Sequence, residues 1–191
     1  MEWTIRPSTP EDLEEMLELY AQARRFMAEN GNPDQWGDGY PPRAMLEEDI
    51  RSGCSYVCCG EDGRLLATFF FTQGEEPTYR EIFDGAWLDD APYGVVHRIT
   101  ARQGTKGVAS YCLNWCFARC GNLRIDTHRK NLPMQRALAR NGFVYCGEIY
   151  VRDGSERIAF QKNKESSPRT ALPPAGLFFC VAGGLSDFSK K

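Results

Sequence analysis

One stretch in the middle of the chain restricts the fold more than any other. Tyr93 to Ala101 reads as a β-strand, residues 107 to 120 as an apolar helix, and Leu123 to Thr127 as a second strand. The loop before the helix contains Gly104 and Gly107. A strand, a glycine loop and a helix N-terminus together leave several backbone N–H groups unpaired and direct them, with the positive end of the helix dipole, at one point. The stretch therefore predicts an α/β fold with a candidate phosphate-binding loop.

The patterns on either side of this stretch predict further helices and strands. An N-cap threonine followed by a proline begins a helix at Thr9, and shorter helical patterns cover Ala44 to Ile50 and Leu132 to Arg140. Residues 73 to 92 are polar and predict a loop with one helical turn. The strand patterns cover residues 2 to 6, Ser55 to Cys59, Leu65 to Thr72, Phe143 to Val151 and Arg157 to Gln161. This order predicts an α/β fold (an α+β mixed sheet) in which helices cover both faces of a mixed central β-sheet.

Length and charge narrow the function classes. The 191 residues allow one domain, expected at residues 1 to 162, and a change of composition predicts a C-terminal tail of unknown role at residues 163 to 191. A formal net charge of -3 without a basic cluster argues against nucleic-acid binding. No window approaches the ~20 apolar residues of a membrane span, and the N-terminus does not resemble an export signal. We therefore expect a cytoplasmic protein with no membrane partner.

The cysteines raise the question of a metal site. Three of the eight, Cys112, Cys116 and Cys120, recur every four residues and so share one face of the predicted helix. Thiols on one helix face can ligate zinc. The sequence has no C-x-x-C pair and only two histidines, and cysteine packs well in a core. We interpret these cysteines as reduced core residues and expect no metal.

The glycine loop supplies the candidate phosphate-binding residues. They are Gly104, Thr105, Lys106, Gly107, Val108 and Ala109. The glycines allow a ligand to approach the backbone closely, and Lys106 adds a mobile positive charge. The loop matches neither G-x-x-x-x-G-K-[ST] nor G-x-G-x-x-G, which argues against a nucleotide hydrolase or a dinucleotide enzyme. A turn of this composition can also do no more than reverse the chain, so a domain without any coenzyme stays an alternative.

Residues 2 to 162 resemble the GCN5-related N-acetyltransferase (GNAT) family in the order of their elements. In that family a loop of pattern R/Q-x-x-G-x-G/A holds the pyrophosphate of coenzyme A, and Gly107 and Ala109 match its last two fixed positions. The first fixed position is Gly104 here, and Gln103 stands one place too early. The family's second signature resembles Asn122 to His128, followed by Asn131, Met134 and the pair Gly142-Phe143.

The resemblance implies a site for acetyl-coenzyme A as co-substrate. In relatives two central parallel strands diverge, and the pantetheine arm lies in the gap along the first of them, which would here place Ile99, Thr100 and Ala101 beside it. The backbone N–H of Ile99 or Thr100 would polarise the thioester carbonyl. The other cofactor-binding residues would be the glycine loop with Asn131 and Met134.

The catalytic residues are less directly indicated. Relatives usually protonate the leaving sulfur with a tyrosine four residues before the Gly-Phe pair, and that position is Leu138 here. Tyr150, or else Tyr145, would have to replace it. His97 is the candidate base because it lies on the strand beside the thioester site and because histidine has an ordinary pKa of about 6.5. His128 is the other candidate base.

The acceptor site is predicted from a closer resemblance to a bacterial subgroup of the family. This subgroup has Gln35-Trp36, Gly39-Tyr40-Pro41 and Asp126-Thr127-His128, and relatives bind the acceptor at the first loop. Trp36, Tyr40 and His128 are therefore the expected substrate-binding residues. We expect an N-acetyltransferase acting on an amine of a small molecule or a peptide. A catalytically silent acyl-CoA-binding sensor or interaction domain is the alternative, and a homodimer stays open.

Overall fold

Seven strands form one mixed sheet in the computed structural model, which describes residues 2 to 165. The strands are β1 Thr4–Pro7, β2 Ser55–Cys59, β3 Leu65–Gln73, β4 Gly94–Ala101, β5 Asn122–Thr127, β6 Val144–Tyr150 and β7 Glu156–Asn163. The helices are α1 Leu13–Glu29, α2 Arg43–Arg51, α3 Val108–Cys120 and α4 Leu132–Arg140, with short 3-10 turns at Pro10–Asp12 and Pro77–Tyr79. The predicted order of elements is confirmed, including the single helical turn in the loop between β3 and β4.

The strand order is β1-β2-β3-β4-β5-β7-β6, and the only parallel neighbours among the described strands are β4 and β5. The glycine loop and α3 make the crossover that a parallel pair requires. The predicted mixed sheet with helices on both faces is therefore confirmed. β7 continues to Asn163, and residues 166 to 191 of the predicted tail lie outside the described residues.

The two faces of the sheet have separate cores. On one face, α3 and α4 pack against central strands, and Val96, Cys112 and Leu138 are fully buried in that cluster. On the other face, α1 and α2 cover β1 to β3 around Met16 and Val57. In β2, Cys58 belongs to the first core and its neighbours Val57 and Cys59 to the second, which is the period-2 pattern of a strand covered on both sides.

The cysteines of α3 belong to the first of these cores. Cys112 and Cys116 have no exposed surface, and Cys120 is half-buried with its thiol directed at the backbone carbonyl of Cys116. Core packing of these residues is confirmed. None of the helices in the described part of the chain combines the length and apolar character needed to cross a bilayer.

Residues 74 to 93 form a strap over the second face, beside α1 and α2. Asp89 anchors it, because its carboxylate accepts hydrogen bonds from Asn122, Gln161 and Asn163 on β5 and β7. The strap also pairs with the edge strand β6, where the backbone groups of Phe83 exchange two hydrogen bonds of 2.8 Å with those of Glu148. The polar side chains of this segment thus anchor it to the sheet, and the segment places some of its side chains over the central strands.

Candidate active site

The central feature of the site is a gap between β4 and β5. These parallel strands pair only at Gly94 with Leu123 and at Val95 with Arg124, and both continue for several residues without pairing to each other. Their carboxyl ends therefore separate, as the resemblance predicts. A backbone hydrogen-bonding edge of β4 is left open to a ligand at this point.

A β-bulge in β4 shapes the side of this gap. The register with β3 shifts between the pairs Thr68–Thr100 and Phe70–His97, so two residues of β4 oppose one of β3. Arg98, inside the bulge, has a φ of 53°, which is uncommon for a residue other than glycine. The bulge brings two successive side chains to one face, since His97 and Arg98 both contact the ring of Phe70.

The glycine loop, Gly104 to Ala109, follows the carboxyl end of β4. Gly104 and Gly107 have φ values of 83° and 85°, which only glycine adopts without strain, and Gly107 is the N-cap of α3. In the described structure the backbone N–H groups of Lys106, Gly107, Val108 and Ala109 have no hydrogen-bond partner. Four free donors at the positive end of a 13-residue helix form an arrangement that binds anions.

The surroundings of this loop are open to solvent. Lys106 is exposed, and a groove of about 600 Å³ beside the loop is lined in part by Trp3, Leu66 and Thr105. Trp3 also packs edge-on against Tyr111 of α3, with 5.4 Å between the ring centroids. Lys106 and Gly107 are exposed, Ala109 is partly exposed and Val108 is buried, so the opening of the loop to solvent lies at its first two free amides.

His97 lies on the second face of the sheet, the one that the strap covers, among acidic and aromatic side chains. Its Nε2 is 3.2 Å from a carboxylate oxygen of Glu76, and its Nδ1 is 3.7 Å from Oδ1 of Asp126 on β5. The hydroxyl of Tyr79 donates a hydrogen bond of 2.6 Å to the same oxygen of Asp126. The strap supplies Glu76 and Tyr79, so the cluster joins three segments that are distant in sequence.

Burial and charge set the protonation states in this cluster. The hydrogen bond from His97 is the largest of the influences that lower the pKa of Glu76, to about 2, so this carboxyl group is an anion at neutral pH. Tyr79 is almost completely buried, and its burial together with the neighbouring Asp126 raises its pKa well above the usual value. Its hydroxyl group therefore stays protonated.

A buried ion pair connects the bulge to the predicted acceptor loop. Arg98 contacts Asp49 of α2 at 2.6 Å, with 11% exposure of each side chain, and also approaches the hydroxyl of Tyr40 at 3.5 Å. Burial raises the pKa of Asp49, and the charge of Arg98 opposes this change. Trp36 packs against Tyr40 and Tyr20, with ring centroids 6.1 and 5.7 Å apart. The structure therefore brings Trp36 and Tyr40 to the side of the bulge.

Asn131, Met134 and His128, the site residues predicted from the family's second signature, make contacts within the protein itself. Asn131 caps α4 by accepting from the backbone N–H of Met134 at 3.2 Å, and its amide donates to Gln35 at 2.9 Å. Met134 packs at the border of the core under α3. His128 follows β5 and accepts from the backbone N–H of Lys130 at 3.2 Å. Burial, with smaller contributions from Arg157 and Lys130, lowers the pKa of His128, which favours a neutral ring.

The predicted acid, Tyr150, is not brought to this cluster. It ends β6 at the edge of the sheet, separated from β5 by β7, and its 48% exposed ring contacts Phe83 of the strap. Tyr145, the other predicted substitute, packs against Phe160 in the α3 core. Leu138 is fully buried, so it presents no polar group either. An acid role for Tyr150 stays a prediction that no contact to the gap supports.

Sequence reasoning missed three members of the cluster, Glu76, Tyr79 and Asp126. Glu76 belongs to a run of acidic residues, and such runs are normally exposed to solvent. Asp126 is indicated only as part of the family's second signature, Asn122 to His128. The parallel register could have found Asp126, because His97 and Asp126 each follow the paired positions Val95 and Arg124 by two residues. Nothing in the local pattern distinguishes Glu76 from the exposed Glu75.

Comparison with solved structures identifies the family. An acetyltransferase of the GNAT family from Streptococcus agalactiae 2603 is 35% identical, with a TM-score of 0.78 over 85% of this chain and 96% of the other. A GNAT-family acetyltransferase from Listeria monocytogenes 4b F2365 is 18% identical, with a TM-score of 0.62 over 85% and 95%. A chain of the NatC complex, solved with a Gag peptide and CoA, has a TM-score of 0.57 at 9% identity over 85% and 99%, and so shares the fold.

The sequence matches no family model and no curated protein. The structural relationship does not depend on such a match, because the first of these structures combines substantial identity with nearly complete coverage of both chains. The structure from Streptococcus agalactiae supports acyl transfer as the general chemistry. This chain belongs to the GNAT family of acetyltransferases.

Proposed function

We propose that the protein is an N-acetyltransferase that moves the acetyl group of acetyl-CoA to an amine of a small molecule or a peptide. The observation that carries the proposal is the gap between β4 and β5, with free amides at its mouth and His97 beside it. An extended thiol arm held at the phosphate loop could run along the open edge of β4, past Ile99, Thr100 and Ala101.

The residues present fit coenzyme A. The free N–H groups from Lys106 to Ala109 suit a diphosphate, and the exposed Lys106 adds a positive charge. The NatC structure, which shares this fold, contains CoA. Asn131 already uses its side chain to cap α4 and to hold Gln35, so its contribution to binding would come from positioning α4 and the acceptor loop.

The reaction divides its tasks among residues around the gap. Bound acetyl-CoA would supply an electrophilic thioester carbon, and the backbone N–H of Ile99 or Thr100 would donate to its carbonyl oxygen. An amine is protonated in water near neutral pH, so His97 takes one proton before the nitrogen attacks. The new C–N bond forms as the C–S bond breaks and leaves its electron pair on sulfur. The sulfur then receives, through water, the second proton that the nitrogen loses.

The acceptor site is proposed on the side of the bulge. Trp36 and Tyr40 pack together there, and Arg98 links Tyr40 to Asp49 of α2. These contacts support the two aromatic rings as one wall of the amine site, while His128 would contact the acceptor at the end of β5. The expected cytoplasmic location, bacterial origin, absence of metal, nucleic-acid and membrane partners, and homodimer stay predictions.

Two measurements test the proposal. Isothermal titration with CoA should show binding, and release of free thiol from acetyl-CoA should accelerate when n-butylamine, 1,4-diaminobutane, lysine methyl ester or an alanine-initiated peptide is added. His97→Gln should retain CoA binding and lose turnover. Absence of CoA binding would refute the proposal.

A silent acyl-CoA-binding domain is the second candidate. It is favoured by the buried Leu138 at the position of the family's acid and by the distance of Tyr150 from the gap in the strand order. CoA binding without thiol release across this panel of amines would support it over the enzyme.

A further inference from the structure

Glu76 is held in place by hydrogen bonds to its carboxylate and to its backbone. Its Oε1 accepts from the backbone N–H and from the hydroxyl of Thr78, at 3.2 and 3.0 Å. Its own backbone N–H donates to the hydroxyl oxygen of Tyr93 at 3.2 Å. With one carboxylate oxygen engaged by Thr78, the other is presented to His97 at 3.2 Å.

This contact determines which ring nitrogen of His97 carries the proton. An ionised carboxylate only accepts hydrogen bonds, and a neutral imidazole has one donor nitrogen and one acceptor nitrogen. The low pKa of Glu76, about 2, keeps its carboxyl group ionised throughout the neutral range. In the neutral ring Nε2 therefore donates to Glu76, and Nδ1 keeps its lone pair.

Nδ1 lies on the side of the gap. The nearest acidic atom is Oδ1 of Asp126, which is 3.7 Å away and too far for a direct hydrogen bond. That oxygen is held by Tyr79, whose hydroxyl donates to it at 2.6 Å. Nδ1 and Asp126 thus form two neighbouring acceptors, one on each of the separating strands, which suits the N–H groups of an amine.

We propose that His97 takes the acceptor's proton at Nδ1 and that Glu76 is the positioning residue that holds the ring in the Nε2–H form. The inference rests on the proposed N-acetyltransferase function. In the step itself an N–H bond of the ammonium breaks, its electron pair stays on nitrogen, and the proton forms a bond to Nδ1. The groups that face the ring are Glu76 and Tyr79 from the strap, Asp126 from β5, Arg98 from β4, Phe70 from β3 and the more distant Asp49 from α2.

The tautomer can be measured without any substrate. The chain has two histidines, so the ring nitrogen resonances of the ¹⁵N-labelled protein can be assigned by recording His97→Gln, in which one set disappears. At a pH where the ring is neutral, His97 should show a protonated Nε2 and a bare Nδ1. Glu76→Gln should produce a mixture of both tautomers. A wild-type ring that carries its proton on Nδ1 overturns the inference, whatever the protein catalyses.

The positioning role is tested by the pH dependence of kcat/KM, with the probe amine that gives the fastest thiol release. Glu76→Gln should lower the plateau about 10- to 100-fold, a part of the 10²–10⁴-fold that general base catalysis contributes. Its acidic limb should move to lower pH, because the variant lacks the negative charge that lies 3.2 Å from Nε2 in the wild type. A merely structural role would not move this limb.

Glu75→Gln is the matched control. Glu75 is the residue next to Glu76 and forms an exposed ion pair with Arg80, so this variant removes the same charge without touching His97. It should leave both the plateau and the limb unchanged. An acidic limb that is the same in Glu76→Gln and in the wild type overturns the positioning role. If no probe amine is acetylated while the Nε2–H form is observed, the proposed enzyme fails and the tautomer assignment stands.

Discussion

The glycine loop, proposed to bind the diphosphate of CoA, allows a test that separates backbone strain from ligand binding. Gly107→Glu places a side chain at a φ of 85° and a negative charge where the diphosphate should lie. A residue other than glycine in the left-handed region costs about 1–2 kcal/mol. A Cβ at Gly107 would lie 3.6 Å from Trp3, an ordinary contact, so no steric cost adds to this strain.

The effect on binding should be larger than the effect on stability. At an effective dielectric constant of 20, a carboxylate about 5 Å from one phosphate charge costs about 3 kcal/mol, which corresponds to roughly a 200-fold weaker affinity. Isothermal titration with CoA measures this loss. Thermal unfolding should show a melting temperature only about 2–8 °C lower, as expected from the strain in a domain of this size.

Gly154→Glu is the matched control, since Gly154 has a φ of 79° and a Cβ added there would meet nothing within 4 Å. It adds the same side chain and nearly the same strain in the turn between β6 and β7. Its melting temperature should fall by a similar amount, while CoA affinity stays at the wild-type value. If Gly107→Glu bound CoA as tightly as this control, the assignment of the loop to the diphosphate would be wrong.

Three further predictions follow from contacts around the gap and between the strap and β6. Asp49→Ala should destabilise the protein by about 3–5 kcal/mol in urea unfolding, because it leaves the buried charge of Arg98 without a partner. Glu76, whose pKa in the folded protein is about 2, should contribute at most about 3 kcal/mol to the free energy of unfolding. This contribution is fully present above pH ~4.3 and is lost as the pH falls towards 2. Glu76→Gln should flatten this part of the pH–stability curve. Gly85→Ala should cost about 3 kcal/mol in a thermal melt, since a Cβ there would lie 2.0 Å from the backbone oxygen of Cys146.

Control variants distinguish these effects from general damage. Glu14→Ala removes an exposed partner of Arg43 and should change stability by less than about 1 kcal/mol. Gly39→Ala introduces a Cβ into open space and should be near neutral. Equal losses in these controls and in the corresponding test variants would contradict the roles given to the buried ion pair and to the strap contact.

Much of the fold could be predicted from the sequence because the deciding interactions are local. Helix periodicity, the N-cap at Thr9 and the glycines at 104 and 107 depend on neighbouring residues only. The order of elements then restricted the sheet to a mixed arrangement with one strand–loop–helix–strand unit. His97 could be selected as a candidate base for the same reason, since its place on β4 follows from the strand pattern.

The cluster around His97 required the tertiary structure. Glu76 precedes His97 by 21 residues and reaches it only because the strap is anchored at Asp89, and Asp126 reaches it only through the register of two parallel strands. The bulge that brings Arg98 to Asp49 of α2 has no local signature either. The amino-acid sequence alone thus determined the elements and the conformation of the glycine loop, because short-range hydrogen bonds and periodic burial decide them. Which polar side chains meet at the gap was decided by long-range pairing, where the partner depends on the shape of the whole sheet and not on any segment of the chain.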